Sequence, residues 1–156
     1  MSKCFVINEW LLHDLKGDNG QEAQKEAYSF LTKLVDKCDR IAILRQSPWM
    51  DKAYELMKVN TLPVRTLSKF LHLQILRNSA KCLVVTRKET RNFLEEVIIK
   101  KIPEDDLYLI DTFCLAKADI IITSDTRLQE SLKDTKIARS LKVTLRNDFL
   151  NEYLNE

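Results

Sequence analysis

Two aspartates stand at the ends of one segment, DLYLIDTFCLAKADIIITSD, which runs from Asp106 to Asp125. Its first twelve residues have apolar side chains at the i, i+3, i+4 and i+7 spacing of a helix, whereas the run ADIIIT is typical of a strand. The helix carries the chain about 18 Å in one direction, and the strand returns it by about 20 Å. We therefore expect the two carboxylates to meet at one edge of a sheet.

A third acid, Glu9, follows the apolar run CFVI, which is also expected to form a strand. Parallel strands place their carboxyl ends along one edge, where α/β sheets bind ligands, so Glu9 is expected to join Asp106 and Asp125. Carboxylates hold Mg²⁺ or Mn²⁺, ions that keep waters and accept phosphate oxygens. Such an ion activates water and stabilises an in-line displacement at phosphorus. These three acids are the predicted catalytic and metal-binding residues, and the predicted chemistry is phosphodiester hydrolysis.

Three further polar residues are second-tier candidates for the same site. Asn8 and Ser124 directly precede Glu9 and Asp125 at the expected edge. Asp111 lies five positions beyond Asp106, about 500° round the helix, so its side chain need not share the direction of Asp106.

Structural explanations compete with the catalytic one at each acid. Asp106 opens a helix, where a carboxylate stabilises the first turn by about 0.3 to 1 kcal/mol without any catalytic purpose. Asp125 would be an N-cap, but Thr126 and Gln129 match a T-x-x-Q capping box, which predicts that Asp125 is free of that duty. Asp119, at the start of the strand, is expected to be a solvated turn residue.

Aromatic residues, histidines and cysteines indicate packing more than chemistry. His72 lies within the apolar run FLHLQIL, where a hydrogen-bonded packing role is expected, and nothing is spaced to form a triad with it. Trp10 and Trp49 are also expected to pack, although Trp49 is close enough to the predicted edge for base stacking to stay open. The four scattered cysteines form no metal-binding pair and are expected to be reduced, mostly buried thiols.

Five short apolar runs alternate with helical patterns along the chain. The runs are CFVI, RIAIL, CLVVT, DIIIT and KVTL, and the clearest helical patterns cover 21–38, 48–58, 64–78 and 91–97. Near-continuous apolar strands between helices are typical of a parallel sheet covered on both faces. We therefore predict one α/β domain over 1–156, with three layers (α/β/α) and about five parallel strands.

Composition excludes several classes of protein. The 156 residues are 45% hydrophobic and 31% charged, as in ordinary globular proteins. No apolar run has the length of a membrane span and no signal peptide is expected, so the predicted location is cytoplasmic. Only two glycines exist, so neither a P-loop nor a dinucleotide fingerprint can be built.

Charge is unevenly distributed along the chain. The net charge is only +2, yet the stretch from Lys58 to Lys101 contains ten Lys or Arg and three Glu. A basic middle beside an acidic edge would suit an anionic substrate held next to metal-binding carboxylates. A solvated helix face is the commoner explanation of such a charge run.

The segment DLYLIDTFCLAKADIIITSDTRL resembles the C-terminal half of PIN-domain ribonucleases. The shared pattern is an acid that opens a helix, an apolar strand, and T-x-D followed by leucine; VTLRNDFLNEYL resembles the last strand and helix of that family. The resemblance covers Pro103 to Leu154 and implies that Asp106 and Asp125 are the third and fourth acids of a PIN site.

The N-terminal half departs from the family pattern. The first acid of the family would fall on Asn8, with Glu9 next to it. The second would fall on Ala53, which is flanked by Asp51 and Glu55, so these two acids are also second-tier candidates.

Two functions follow from the resemblance. The first is a metal-dependent endonuclease of single-stranded RNA, using Asp106, Asp125 and Glu9 around Mg²⁺ or Mn²⁺, and acting as the toxin of a toxin and antitoxin pair. The second is a PIN-like module that has lost catalysis and binds RNA or a protein partner through its basic middle. A homodimer is implied by the family alone.

Overall fold

Five parallel strands form one sheet in the computed structural model, which describes residues 2–87, 100, 102–132 and 141–156. The strands are β1 (Cys4–Ile7), β2 (Arg40–Leu44), β3 (Cys82–Val85), β4 (Ile120–Thr123) and β5 (Val143–Leu145). Their order across the sheet is β3-β2-β1-β4-β5, and every neighbouring pair is parallel. Each predicted apolar run is thus a strand, and the predicted parallel sheet is confirmed.

Seven α-helices flank the sheet within the described residues. They are α1 (Trp10–Lys16), α2 (Gln21–Asp36), α3 (Pro48–Met57), α4 (Val64–Phe70), α5 (Leu107–Ala116), α6 (Thr126–Leu132) and α7 (Arg146–Tyr153). A π-helical segment, Leu71–Leu76, continues α4, and a 3₁₀ turn, Glu104–Asp106, leads into α5. The predicted helix 91–97 lies outside the described residues.

The strand order places helices on both faces of the sheet. The connections β1 to β2 and β2 to β3 step in one direction, whereas β3 to β4 and β4 to β5 step in the other. Because parallel crossovers are right-handed, the two groups of connections cover opposite faces. Consistent with this, α5 packs along β1 to β4, whereas α1, α2 and α3 belong to the other group and α1 packs on both α2 and α3. The predicted three-layer α/β/α architecture is confirmed.

Helix α1 was not among the clearest sequence patterns. It has only seven residues, WLLHDLK, so it offers fewer than two turns of periodicity. Its N-cap is Glu9, and the preceding Asn8 accepts a hydrogen bond from the Trp10 backbone N–H through its side-chain Oδ1 at 3.0 Å. The predicted cap of α3 is confirmed, since Ser47 Oγ accepts from Met50 N–H at 3.3 Å, with Pro48 at the first helical position.

An aromatic cluster closes the core between β1, α2 and the C-terminal helix. Phe5, Phe30, Phe149 and Tyr153 contact one another with ring centroids 5.0 to 6.5 Å apart. The Tyr153 hydroxyl donates to buried Asp39 at 2.8 Å, and Asp39 also accepts from the Lys3 backbone N–H at 2.9 Å. This network joins the end of the chain to the beginning of the sheet.

Several smaller expectations have clear outcomes. All four cysteines are free; Cys38 is exposed, whereas Cys4 and Cys82 are buried. Asp119 is exposed as expected but is no mere turn residue, because its carboxylate accepts from Cys4 N–H at 2.8 Å and ties β4 to β1. No helix in the described part of the chain combines the length and the apolar character needed to span a bilayer.

Candidate acidic cleft at the carboxyl ends of β1 and β4

An open cleft of about 930 Å³ lies at the carboxyl ends of β1 and β4, where the direction of the strand connections reverses. Strand β1 connects onward to β2 on one side, whereas its other neighbour, β4, connects onward to β5. The connections that follow these two adjacent strands diverge, and α/β sheets bind their ligands in the crevice left at such a point. The residues that follow β1, β4 and β5 line this cleft.

Asp106, Asp125 and Glu9 all line the cleft, as the sequence predicted. Glu9 lies between β1 and α1, and Asp125 lies between β4 and α6. Asp106 reaches the same place from the last position of the 3₁₀ turn before α5. Residues more than a hundred positions apart are thus brought together because β1 pairs with β4 in parallel.

Asp106 is in an electrostatically unfavourable place. Burial raises its pKa to about 6, and the nearby carboxylates of Asp125, Asp105 and Glu9 contribute to the increase. Among the described residues, Arg127 lowers this pKa and so opposes the increase. One oxygen, Oδ2, is buried without a hydrogen-bond partner among the described residues. A buried carboxylate surrounded by like charges is a common feature of sites that bind a cation or hold a proton.

Asp125 is paired with Arg127, two positions along the chain. Both carboxylate oxygens accept from the guanidinium, with N···O distances between 2.7 and 3.1 Å. These hydrogen bonds lower the pKa of Asp125. The pair lies at the cleft surface, with 73% of the Arg127 side chain exposed.

The predicted capping box at Thr126 and Gln129 is wrong. Asp125 Oδ1 itself accepts from the backbone N–H of Arg127 at 2.9 Å, so Asp125 caps α6. A short acidic side chain directly before the helix reaches this donor more easily than a residue already inside the first turn. Asp125 therefore has a structural duty in addition to any chemical one.

Both polar atoms of the Asn8 side chain form hydrogen bonds. Its Nδ2 donates to Thr123 Oγ1 at 2.8 Å, and its Oδ1 accepts from the backbone of Trp10. Asn8 thus links β1, β4 and α1 beneath the acidic residues, and it contributes no charge. Ser124 lies beside Asp125 on the cleft wall and is exposed.

The remaining second-tier acids lie away from the cleft lining. Asp111 is buried in α5, where its carboxylate is 3.3 Å from a guanidinium nitrogen of Arg87. Asp51 is exposed on α3. Glu55, also exposed on α3, lines a separate shallow depression of about 90 Å³.

Ala53, at the position of the family's second acid, is buried at 1% exposure. Its carbonyl oxygen accepts from His72 Nε2 at 3.0 Å, which confirms the packing role expected for that histidine. Trp49 is 2% exposed and Trp10 is 3% exposed, so both are packed and the base-stacking hypothesis for Trp49 is wrong.

Sequence patterns did not indicate that Arg146 lines the cleft and pairs with Asp14. Arg146 Nε donates to buried Asp14 at 2.7 Å, and the guanidinium lies 5.2 Å from the ring centroid of Trp10. Asp14 is also held by Asn19 Nδ2 at 2.7 Å. Asp14 and Arg146 are 132 positions apart, so no local spacing could have paired them.

The cleft is acidic as a whole. Among the described residues, six acids and two arginines line it: Glu9, Asp14, Asp105, Asp106, Asp125, Asp148, Arg127 and Arg146. No group of three or more His, Cys, Asp or Glu side chains in the described ranges converges closely enough to hold a metal ion by itself. Mg²⁺, however, is commonly bound through one or two carboxylates, with water and substrate phosphate completing the shell. The buried, unpartnered oxygen of Asp106 beside the Asp125 carboxylate fits that type of site.

No protein-family model, curated protein or solved structure matches this chain. The similarity to PIN-domain ribonucleases stays a prediction from sequence patterns. Functional inference therefore depends on the geometry and charge of the cleft.

Proposed function

We propose that this protein is a metal-dependent endoribonuclease that hydrolyses phosphodiesters of single-stranded RNA in the acidic cleft. The observation that supports the proposal best is the position of Asp106, whose unpartnered carboxylate oxygen is buried among Asp125, Asp105 and Glu9. Such crowding of carboxylates is costly in the absence of a cation, and a divalent ion would relieve it. Mg²⁺ or Mn²⁺ suits these hard oxygen ligands.

Each residue has a distinct part in this proposal. Asp106 and Asp125 would hold the ion, and Glu9 would complete its shell directly or through water. When bound, the ion supplies Lewis-acid activation of water and neutralisation of phosphate charge. Arg127 and Arg146 are the cations of the cleft lining, and a guanidinium is well suited to hold a phosphate oxygen.

The proposal also includes a cellular location and partners. Four free cysteines are typical of a reducing compartment, which favours a cytoplasmic location and an RNA substrate there. An antitoxin partner and a homodimer are part of the proposal only through the similarity to PIN-domain sequences.

Mn²⁺ binding measured by calorimetry tests the proposal directly. Wild type should bind saturably, Asp125→Asn should lose most of that affinity, and Glu9→Gln should weaken it. Asp148→Asn is the matched control, because Asp148 lines the same cleft but is not among the acids that act on Asp106. Cleavage of a single-stranded RNA pool should follow the same order. Absence of Mn²⁺ binding to wild type at millimolar metal would contradict the proposal.

A second function is favoured by a different observation. Arg127 occupies both oxygens of Asp125, and both polar atoms of Asn8 are already used. If the site is permanently closed in this way, the protein is a non-catalytic module that binds RNA or a protein partner. RNA binding without cleavage in saturating Mn²⁺ would identify this function.

A further inference from the structure

A second concave surface lies on the helical layer, apart from the acidic cleft. It is a groove of about 500 Å³ between the C-terminal end of α3, α4 and the π-helical segment. Three of its lining residues are cationic, namely Arg65, Lys69 and Arg77, and none of them is ion-paired with a described acid. No described Asp or Glu lines the groove. Its cations are therefore available to an external anion.

The cations belong to a row of residues with a spacing of four. Arg65, Lys69, Leu73 and Arg77 all line the groove; Arg65 and Lys69 lie one turn apart on α4, Leu73 lies in the π-helical segment, and Arg77 directly follows it. The row therefore presents positive charge at intervals along the helix axis, with Leu73 between two of the cations. A repeating row of charge is suited to a polyanion more than to a single small anion.

Apolar surface accompanies this charge. Leu73 and Met57 line the groove with 55% and 46% of their surface exposed. Tyr54 is 55% exposed, and its ring stacks on that of His72 with centroids 6.4 Å apart. Single-stranded nucleic acids bind such mixed surfaces, since phosphates meet the cations while bases cover apolar and aromatic side chains.

The groove is linked to the cleft through α3. Helix α3 contributes Met57 to the groove. It also contributes Lys52 and Glu55 to the small depression that contains Lys16 and His13. His13 lines the acidic cleft as well, and Leu56 of the depression directly precedes Met57 of the groove, so the depression lies between the other two concave surfaces along the chain of lining residues.

We infer that the groove formed by Arg65, Lys69, Leu73 and Arg77 binds the backbone of single-stranded RNA, holding a part of the strand distant from the cleft. The identity of the ligand rests on the proposed function, because an RNA substrate of the cleft would pass this surface. An acidic protein segment would meet the same charges, but the groove adjoins a depression that shares His13 with the cleft, which favours RNA.

The test is RNA binding in metal-free protein, measured by fluorescence anisotropy with a labelled single-stranded RNA pool at several salt concentrations. The variant is Arg65→Gln with Arg77→Gln, and the control is Lys142→Gln, an exposed cation before β5 that lines none of the three depressions. Each phosphate contact on a single strand contributes about 0.7 to the slope of log affinity against log salt. The double variant should therefore lose about 1.4 from that slope and bind severalfold more weakly, whereas the control should resemble wild type.

Misfolding is separated from loss of binding by Mn²⁺ affinity and the unfolding midpoint, which should be the same in the double variant and the control. Equal RNA affinity and salt slope in all three proteins would overturn the inference. The inference would also be wrong if wild type bound poly-L-glutamate more tightly than the RNA pool and the double variant lost that binding. The groove would then be a site for an acidic peptide. Failure of the cleft to bind Mn²⁺ contradicts the proposed nuclease but leaves a groove that binds RNA in place.

Discussion

Arg127 holds both carboxylate oxygens of Asp125 at 2.7 to 3.1 Å, although its side chain is 73% exposed. An exposed ion pair of this kind contributes little to stability, because water and salt screen both charges. A divalent cation that binds Asp125 competes with this guanidinium for the carboxylate oxygens. The pair therefore opposes metal binding by a small amount that can be measured.

Replacing Arg127 by Ala should strengthen Mn²⁺ binding by up to about fivefold. The carboxylate of Asp125 loses its competing partner, and the cleft loses one positive charge. Calorimetry at low ionic strength measures the change. Lys142→Ala is the charge-matched control, because Lys142 precedes the amino end of β5 and does not line the cleft. Unchanged or weaker Mn²⁺ binding in Arg127→Ala would show that the two do not compete.

Asp106 should make the folded state less stable as pH rises. Burial and then Asp125 raise the pKa of Asp106 from its ordinary value of 3.8 to about 6. Between these two values the folded protein keeps a proton that the unfolded chain has lost, so the free energy of unfolding falls as pH rises. In Asp106→Asn the decrease in the free energy of unfolding between low and neutral pH should be smaller than in wild type by about 1 to 2 kcal/mol, a value discounted for the partial exposure of Asp106. Urea unfolding at pH 4 and pH 7 measures it.

The control for that experiment is Asp148→Asn, which should keep the pH dependence of wild type. Identical pH dependence in wild type and Asp106→Asn would show that Asp106 ionises as an ordinary exposed carboxyl.

Metal binding should release the proton of Asp106. Since Mn²⁺ requires the carboxylate form, its affinity should decrease by up to about tenfold per pH unit below pH 6. Calorimetry in buffers of different ionisation enthalpy measures the protons released, which should rise toward one as pH falls below 6. In Asp106→Asn, any residual binding should lack this release. Wild-type binding without proton release at pH 5.5 would exclude Asp106 as a ligand.

Asn8→Asp should add a carboxylate without changing the local geometry. One oxygen can still accept from Trp10 N–H, and the other can accept from the Thr123 hydroxyl, which now has to donate. We expect Mn²⁺ to bind about fivefold to tenfold more tightly, because another negative charge lies beneath the acidic residues. Metal-free stability at neutral pH should fall for the same reason.

Asn147→Asp is the matched control for Asn8→Asp. Asn147 lines the same cleft from the start of α7, so the variant adds an equal charge at a different place. Equal gains in Mn²⁺ affinity from both variants would mean that the cleft attracts metal only through its overall charge.

Tyr153→Phe should destabilise the fold by about 1.5 to 3 kcal/mol, the range for a hydrogen bond to a charged group. The substitution removes the donor 2.8 Å from buried Asp39 and leaves that carboxylate with one fewer partner. Urea unfolding measures the loss. Tyr54→Phe, which removes an exposed hydroxyl, should change stability by less than about 0.5 kcal/mol. A similar cost for both would show that the Tyr153 hydroxyl is not bound in the core.

The strands and most of the helices follow from sequence patterns alone. Apolar runs such as CFVI and RIAIL are strands with the predicted bounds, and the segment from Asp106 to Asp125 folds back as its helical and strand periods require. These features were predictable because hydrophobic periodicity and turn residues act over short distances. The same reasoning placed Asp106, Asp125 and Glu9 at one edge.

The partners of those acids could not be predicted in this way. The engagement of Asn8 depends on Thr123, which is 115 positions away. The ion pair between Asp14 and Arg146 joins α1 to α7. Each of these contacts requires the relative position of two elements, which no local pattern contains.

By itself, the sequence determined the alternation of strands and helices, and the meeting of three carboxylates at the carboxyl ends of strands. Only the tertiary structure decided that β1 lies beside β4, that Asn8 is bound to Thr123, and that a row of cations lines a groove beyond α3. The physical reason is range: propensity and periodicity are properties of neighbouring residues. Charge environment and hydrogen-bond satisfaction are properties of whatever the fold brings within a few ångströms.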